Sequence, residues 1–173
     1  MENFSNSILI PENLPEIERK TFNPLDKKYL KILFIRIIIF FLVLAGAFTT
    51  FLIISEGKPP TYILSIVISV LVFLIAFISI LTVLEFPRRG YLLREKDLSY
   101  QKGLITYKLI SVPFNRIQHV EVNQGVFEKI LKLSSVKIFT AGGQASDLSI
   151  HGLPAEIAQN LKAFLSEKIS EHE

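Results

Sequence analysis

The chain has 173 residues, a formal net charge of +3, 50% hydrophobic residues and no cysteine. That charge is too small for nucleic-acid binding without a clustered basic face, so no nucleic-acid partner is expected. The lack of cysteine excludes disulfides, thiolate metal sites and a cysteine nucleophile.

The first 30 residues carry Glu2, Glu12, Glu16 and Glu18 and lack an early apolar core, which argues against a cleaved signal peptide. They read as an irregular tail in which only Ile8-Leu9-Ile10 resembles a strand. Asn23-Pro24-Leu25-Asp26 predicts a helix start, with Asn23 as the cap and Pro24 in the first helical position. Two apolar runs follow. No charge occurs from Ile37 to Ile54 or from Tyr62 to Leu84, and a bilayer core requires roughly 20 such residues per helix. The expected division is therefore 1–31 as tail and helix lead-in, 32–84 as a transmembrane hairpin with spans of about 32–54 and 62–84, and 85–173 as one small domain.

Lys27, Lys28, Lys31 and Arg36 precede the hairpin, and Arg88, Arg89, Arg94 and Lys96 follow it, whereas the connecting loop has one Lys and one Glu. Positive flanks stay in the cytoplasm, so both termini are expected there, in a multi-pass protein of the cell membrane. Arg36, Arg88 and Arg89 are candidate contacts for lipid headgroups. Gly46 and Thr49 in the first span, with Ser65 and Ser69 in the second, form a candidate small-residue packing surface. No Asp, Glu or His lies within the spans, which gives coupled transport little support.

Beyond Phe86-Pro87 the pattern changes to short strands. Tyr91–Arg94 and Leu98–Gln101 read as strands around a tight turn, and Ile105, Tyr107 and Leu109 recur with period two, although Ile110 and Val112 blur the opposite face. Ile117–Gln124 is the next strand, with Val120 and Val122 on one face. A short helix containing Phe127, Ile130 and Leu131 follows, then strands around Val136–Ile138 and Leu148–Ile150. Pro154 opens a closing helix whose apolar stripe is Ile157, Leu161, Phe164, Leu165 and Ile169. The expected class is a membrane α+β protein: a two-helix hairpin, then a small bent sheet or partly open barrel capped by a C-terminal helix.

Several runs carry a family resemblance: Arg89-Gly90-Tyr91, Val112-Pro113-Phe114-Asn115-Arg116-Ile117-Gln118-His119-Val120, Thr140-Ala141-Gly142-Gly143 and Ile150-His151-Gly152-Leu153-Pro154. Together they resemble the bacterial pleckstrin-homology-like domain, in particular the YdbS-like membrane proteins, which place two transmembrane helices just before such a domain. The resemblance spans roughly Asn23 to Ile169. It implies a pleckstrin-homology-like barrel, no assigned reaction, and a larger membrane protein with repeated domains of the same kind as a partner.

Arg116, Gln118, His119 and Glu121 form the densest polar group beside a strand and are the candidate interaction residues. His119 as a general base is a weaker alternative, because no triad and no metal-ligand spacing accompanies it. No cofactor is expected. Membrane lipids, a membrane protein or a second copy are the expected partners of a non-enzymatic interaction module. The alternative is an accessory subunit of a transport or export system, or a small oligomeric pore.

Overall fold

The structure is a computed structural model that describes residues 22–54, 59–141 and 148–170. Ile8–Ile10, the loop residues Ser55–Lys58 and the Gly142–Gly143 pair lie outside the described residues. A two-residue strand β1 (Asn23–Pro24) leads into α1 (Lys28–Ile54) and α2 (Thr61–Glu85). Strands β2 (Gly90–Leu93), β3 (Asp97–Lys102), β4 (Lys108–Pro113) and β5 (Ile117–Asn123) follow. After them come α3 (Val126–Ile130), β6 (Leu133–Thr140), β7 (Leu148–Pro154) and α4 (Ala155–Ser170).

At ~1.5 Å per residue, α1 and α2 are roughly 40 and 37 Å long, enough to cross a ~30 Å hydrocarbon core. Phe40, Val43, Phe51, Ile66 and Phe73 are exposed along them, a surface that water does not tolerate but lipid does. Within the charge-free runs the less exposed positions are Ile37, Phe41, Ala45, Phe48 and Leu52 in α1, and Val67, Leu71, Ile75, Ile78, Ser79, Leu81 and Thr82 in α2. Their spacing of three and four residues marks the seam between the spans. Gly46, Thr49, Ser65 and Ser69 are exposed and lie off that seam. A Cβ built on Gly46 would meet nothing within 4 Å. Mostly larger side chains fill the seam, and Gly46, Thr49, Ser65 and Ser69 do not pack the hairpin upon itself.

The helix start differs from the expected one. Asn23 and Pro24 pair with Tyr91 and Gly90 at the edge of the first sheet, a place where proline's missing N–H costs no ladder bond. The cap falls instead on Asp26, whose Oδ1 accepts the Lys28 N–H at 2.8 Å.

The soluble part consists of two antiparallel sheets, in orders β1-β2-β3-β4 and β5-β6-β7. They form a bent, incompletely closed sheet, plugged by α4 through Ala158, Leu161 and Leu165. The core holds Leu98, Val112, Leu133, Val136, Ile138, Leu148 and Ile150, and it also takes in Leu25, Tyr29 and Ile32 from the start of the first span. The helix lead-in is thus built into the domain.

Two of the periodic apolar sets turn outward. Ile105, Tyr107 and Leu109 are exposed, while Val112 is buried and Ile110 packs against the core. The reason is a tight loop at Gly103, whose φ is +109° and where a Cβ would stand 1.9 Å from the Thr106 carbonyl oxygen. That loop delays the strand until Lys108 and leaves Ile105 and Tyr107 outside it. In α3 the buried residue is Glu128, which accepts the Gly125 N–H at 2.7 Å as a cap. Val126 and Ile130 face outward. One turn of helix end is held here by polar capping, not by an apolar stripe.

Candidate functional site

The predicted interaction residues gather on one strand. β5 ends the second sheet, pairing with β6 on one side only. Val120 and Ile117 point into the core, which sends Gln118, His119 and Glu121 outward, and Arg116 is exposed in the turn that enters the strand. The register shifts between Ile117 and His119, and a bulge at this point re-aims the side chains around it. The His119 ring lies flat on Phe139 with centroids 4.1 Å apart. Its Nε2 stands 3.7 Å from Glu121 Oε1. Both side chains are half exposed, so the pair is a surface contact of small energy. Nothing here encloses a reacting group. The strand offers an edge unpaired with any other strand, with α4 packed beside it, and a mixed polar surface.

A second site, which sequence reasoning missed, lies where the domain meets the hairpin. A cavity of about 530 Å³ is lined by Glu85 and Arg89 at the end of α2, by Tyr100, Lys102 and Lys108 from the first sheet, and by Leu148 and His151 from β7. Arg89 Nη2 meets Glu85 Oε1 at 3.1 Å. A narrower cleft of about 240 Å³ adjoins it, lined by Leu81, Leu104 and Ile105 and sharing Glu85, Gly103 and Thr106. The Arg88 guanidinium donates to the Leu104 carbonyl at 3.4 Å, tying the loop to the helix end. Of the candidate headgroup contacts, Arg88 and Arg89 therefore border this junction, and Arg36 lies near enough to influence His151.

His151 joins the two halves of the molecule. Its ring lies parallel to that of Tyr29 at a centroid distance of 6.2 Å, and its Nδ1 is buried with no hydrogen-bond partner. Burial lowers its pKa below the usual histidine value. Glu128 opposes that shift, and Arg36, Lys102 and Lys137 add to it. A base whose pKa falls on folding binds a proton more readily when unfolded. Its contribution is complete above the ordinary value of ~6.5 and is lost as pH falls from there toward the folded value. Thermal melts of the full chain in detergent should show a midpoint that falls between about pH 7.5 and 5.5. In a His151→Phe protein this fall should be shallower; equal slopes for the two proteins would contradict the assignment.

Several hydroxyls of the spans are held by their own helices. Thr49 Oγ1 donates to the Ala45 carbonyl at 2.8 Å, Thr50 Oγ1 to Gly46 at 2.9 Å and Ser65 Oγ to Tyr62 at 2.8 Å. Among the described residues no group of three His, Asp or Glu side chains is placed to hold a metal ion.

The comparisons with known proteins agree with this architecture. Over 96 residues the chain is 33% identical to the UPF0699 transmembrane protein YdbS of Bacillus subtilis (strain 168), a match covering 51% of this chain and 57% of that protein. The chain thus matches somewhat over half the length of that relative. No solved structure matches it. A family model described as bacterial PH domain matches residues 32–169, from within α1 to the last turn of α4. With most of the hairpin, strands β2 to β7 and nearly all of the capping helix inside the matched range, the chain belongs to the bacterial PH domain family and is a YdbS-like membrane protein.

Proposed function

We propose that this protein is a membrane-anchored, non-enzymatic interaction module. Its hairpin holds the domain against the cytoplasmic face, with both termini inside, as the positive flanks of the spans favour. There it binds a membrane protein or a second copy of itself. The observation that carries this reading is the position of β5: a sheet edge with Arg116, Gln118, His119 and Glu121 exposed on and beside it. An edge strand is a template for an added strand, whose main-chain hydrogen bonds supply affinity while flanking side chains select the sequence. The union of α1 with the domain core limits the reach of that edge to partners at or in the membrane.

The test is a photo-crosslinking residue at position 118 or 119, activated in native membranes. A discrete adduct, identified by mass spectrometry as a membrane protein or a dimer and lost in a Gln118→Pro protein, is the expected result. Recovery of uncrosslinked monomer alone, from both positions, would overturn the reading.

A further inference from the structure

Two features at the membrane end of the domain play no part in an interaction through β5: a lysine pair and an apolar loop. Lys102 and Lys108 are direct partners in the β3–β4 register, so their side chains leave the same face. Like charges directly opposite each other weaken a sheet. Both lysines line the larger cavity together with Arg89. Among its described lining residues the one carboxylate is Glu85, already engaged by Arg89. Three cations against one carboxylate make this cavity a place for an anion.

The adjoining cleft has the opposite character. From the shared residues Glu85, Gly103 and Thr106 it continues to Leu104 and Ile105 on the loop and to Leu81 on the membrane helix. Ile105 is 85% exposed. A lone apolar residue on a water-facing loop is unremarkable, but this one stands beside a span. Leu81 lies four residues before Glu85, one helical turn or about 6 Å deeper along α2. The apolar cleft therefore opens on the hydrocarbon side and the basic cavity on the headgroup side, the same order as in a lipid.

We propose that the two spaces form one site for an anionic phospholipid of the surrounding leaflet, its phosphate held by Lys102, Lys108 and Arg89 and its acyl chains lying along Leu81, Leu104 and Ile105. A soluble phosphate would fill the basic cavity alone and would leave the apolar cleft without a role. The site is separate from the β5 edge. It rests only on the hairpin spanning the membrane, so the crosslinking experiment and the lipid experiment fail independently.

The full chain, purified in a non-ionic detergent, is titrated with phosphatidylglycerol and with phosphatidylcholine, and bound lipid is counted by native mass spectrometry. One tightly retained phosphatidylglycerol per chain is expected. The K102Q/K108Q protein should bind it about tenfold more weakly or worse, since each lysine near a membrane surface contributes appreciably. Its melting temperature should hold or rise, because the like-charge pair is gone. Ile105→Ser, at an exposed position that does not support the fold, should also weaken retention. Equal affinity for the two lipids, or phosphatidylglycerol binding unchanged in both variants, would overturn the proposal. Displacement of the lipid by an equal concentration of glycerol phosphate would overturn it in favour of a soluble phosphate.

Discussion

Replacing Gly152 by alanine is expected to lower the stability of the domain by about 2–5 kcal/mol, and the cause can be separated into two parts. Gly152 has φ +76°, a conformation in which a side chain costs ~1–2 kcal/mol. The added Cβ would also stand 2.5 to 2.8 Å from Tyr29 side-chain atoms, and forcing a methyl group into a packed core costs ~1–3 kcal/mol. Tyr29 has little room to move, being 2% exposed. The Gly152 carbonyl meanwhile accepts the Asp26 N–H at 3.0 Å. The substitution therefore acts at the joint between α1 and β7. Urea or thermal unfolding of the full chain in detergent measures the loss. A Tyr29→Ala background removes the Cγ and Cδ1 contacts but keeps the Cβ at 2.6 Å and the backbone cost, so the two substitutions should be partly non-additive. Additive effects, or a Gly152→Ala protein as stable as the parent, would show that this joint is looser than described.

The parts of the fold that were legible in the sequence are those with a long or clean period. The hairpin was, because a solvated domain has no use for two charge-free runs of that length. So was α4, although its register is set by Ala158, Leu161 and Leu165 and Ile157 is left outside. What escaped was set by contacts between distant segments. A two-residue strand has no period, so Asn23–Pro24 read as a helix start until Gly90 and Tyr91 paired with it. Along 105–112 both faces alternate equally well, and only the Gly103 loop decides which one turns inward.

The candidate sites divide the same way. Arg116, Gln118, His119 and Glu121 could be named beforehand because they are neighbours in sequence and on one edge of the sheet. The basic cavity could not, because its lining comes from α2, β3, β4 and β7. One local signal was available. Lys102 and Lys108 flank the β3–β4 connection as mirror positions, and mirror positions of a hairpin face each other.

The second large effect concerns the beginning of α1, where membrane anchor and soluble domain share one core. Ile32 opens the apolar run, yet it is 0% exposed and packed in the same cluster as Leu25, Tyr29, Leu98 and Ile150. Truncating such a residue removes its transfer energy and leaves a cavity, so Ile32→Ala is expected to cost about 2–5 kcal/mol in the unfolding of the domain. Ile38, six residues or about 1.7 turns further along, is exposed on the span. Ile38→Ala should alter the same transition by less than about 0.5 kcal/mol. The contrast places the boundary between protein core and lipid between these two isoleucines. A stronger form follows for residues 85–173 expressed alone. A domain of this size buries only somewhat more than ~60% of its unfolded surface and has little stability to lose. Without Leu25, Tyr29 and Ile32 it also exposes the part of its core that α1 covers. The segment should aggregate or show the collapsed dispersion and broad unfolding of a loosely packed state. A well-dispersed NMR spectrum with cooperative unfolding would show instead that the hairpin merely tethers an independent domain. The orientation of that domain to the bilayer, on which the reach of the β5 edge and the lipid site both depend, would then no longer be fixed by α1.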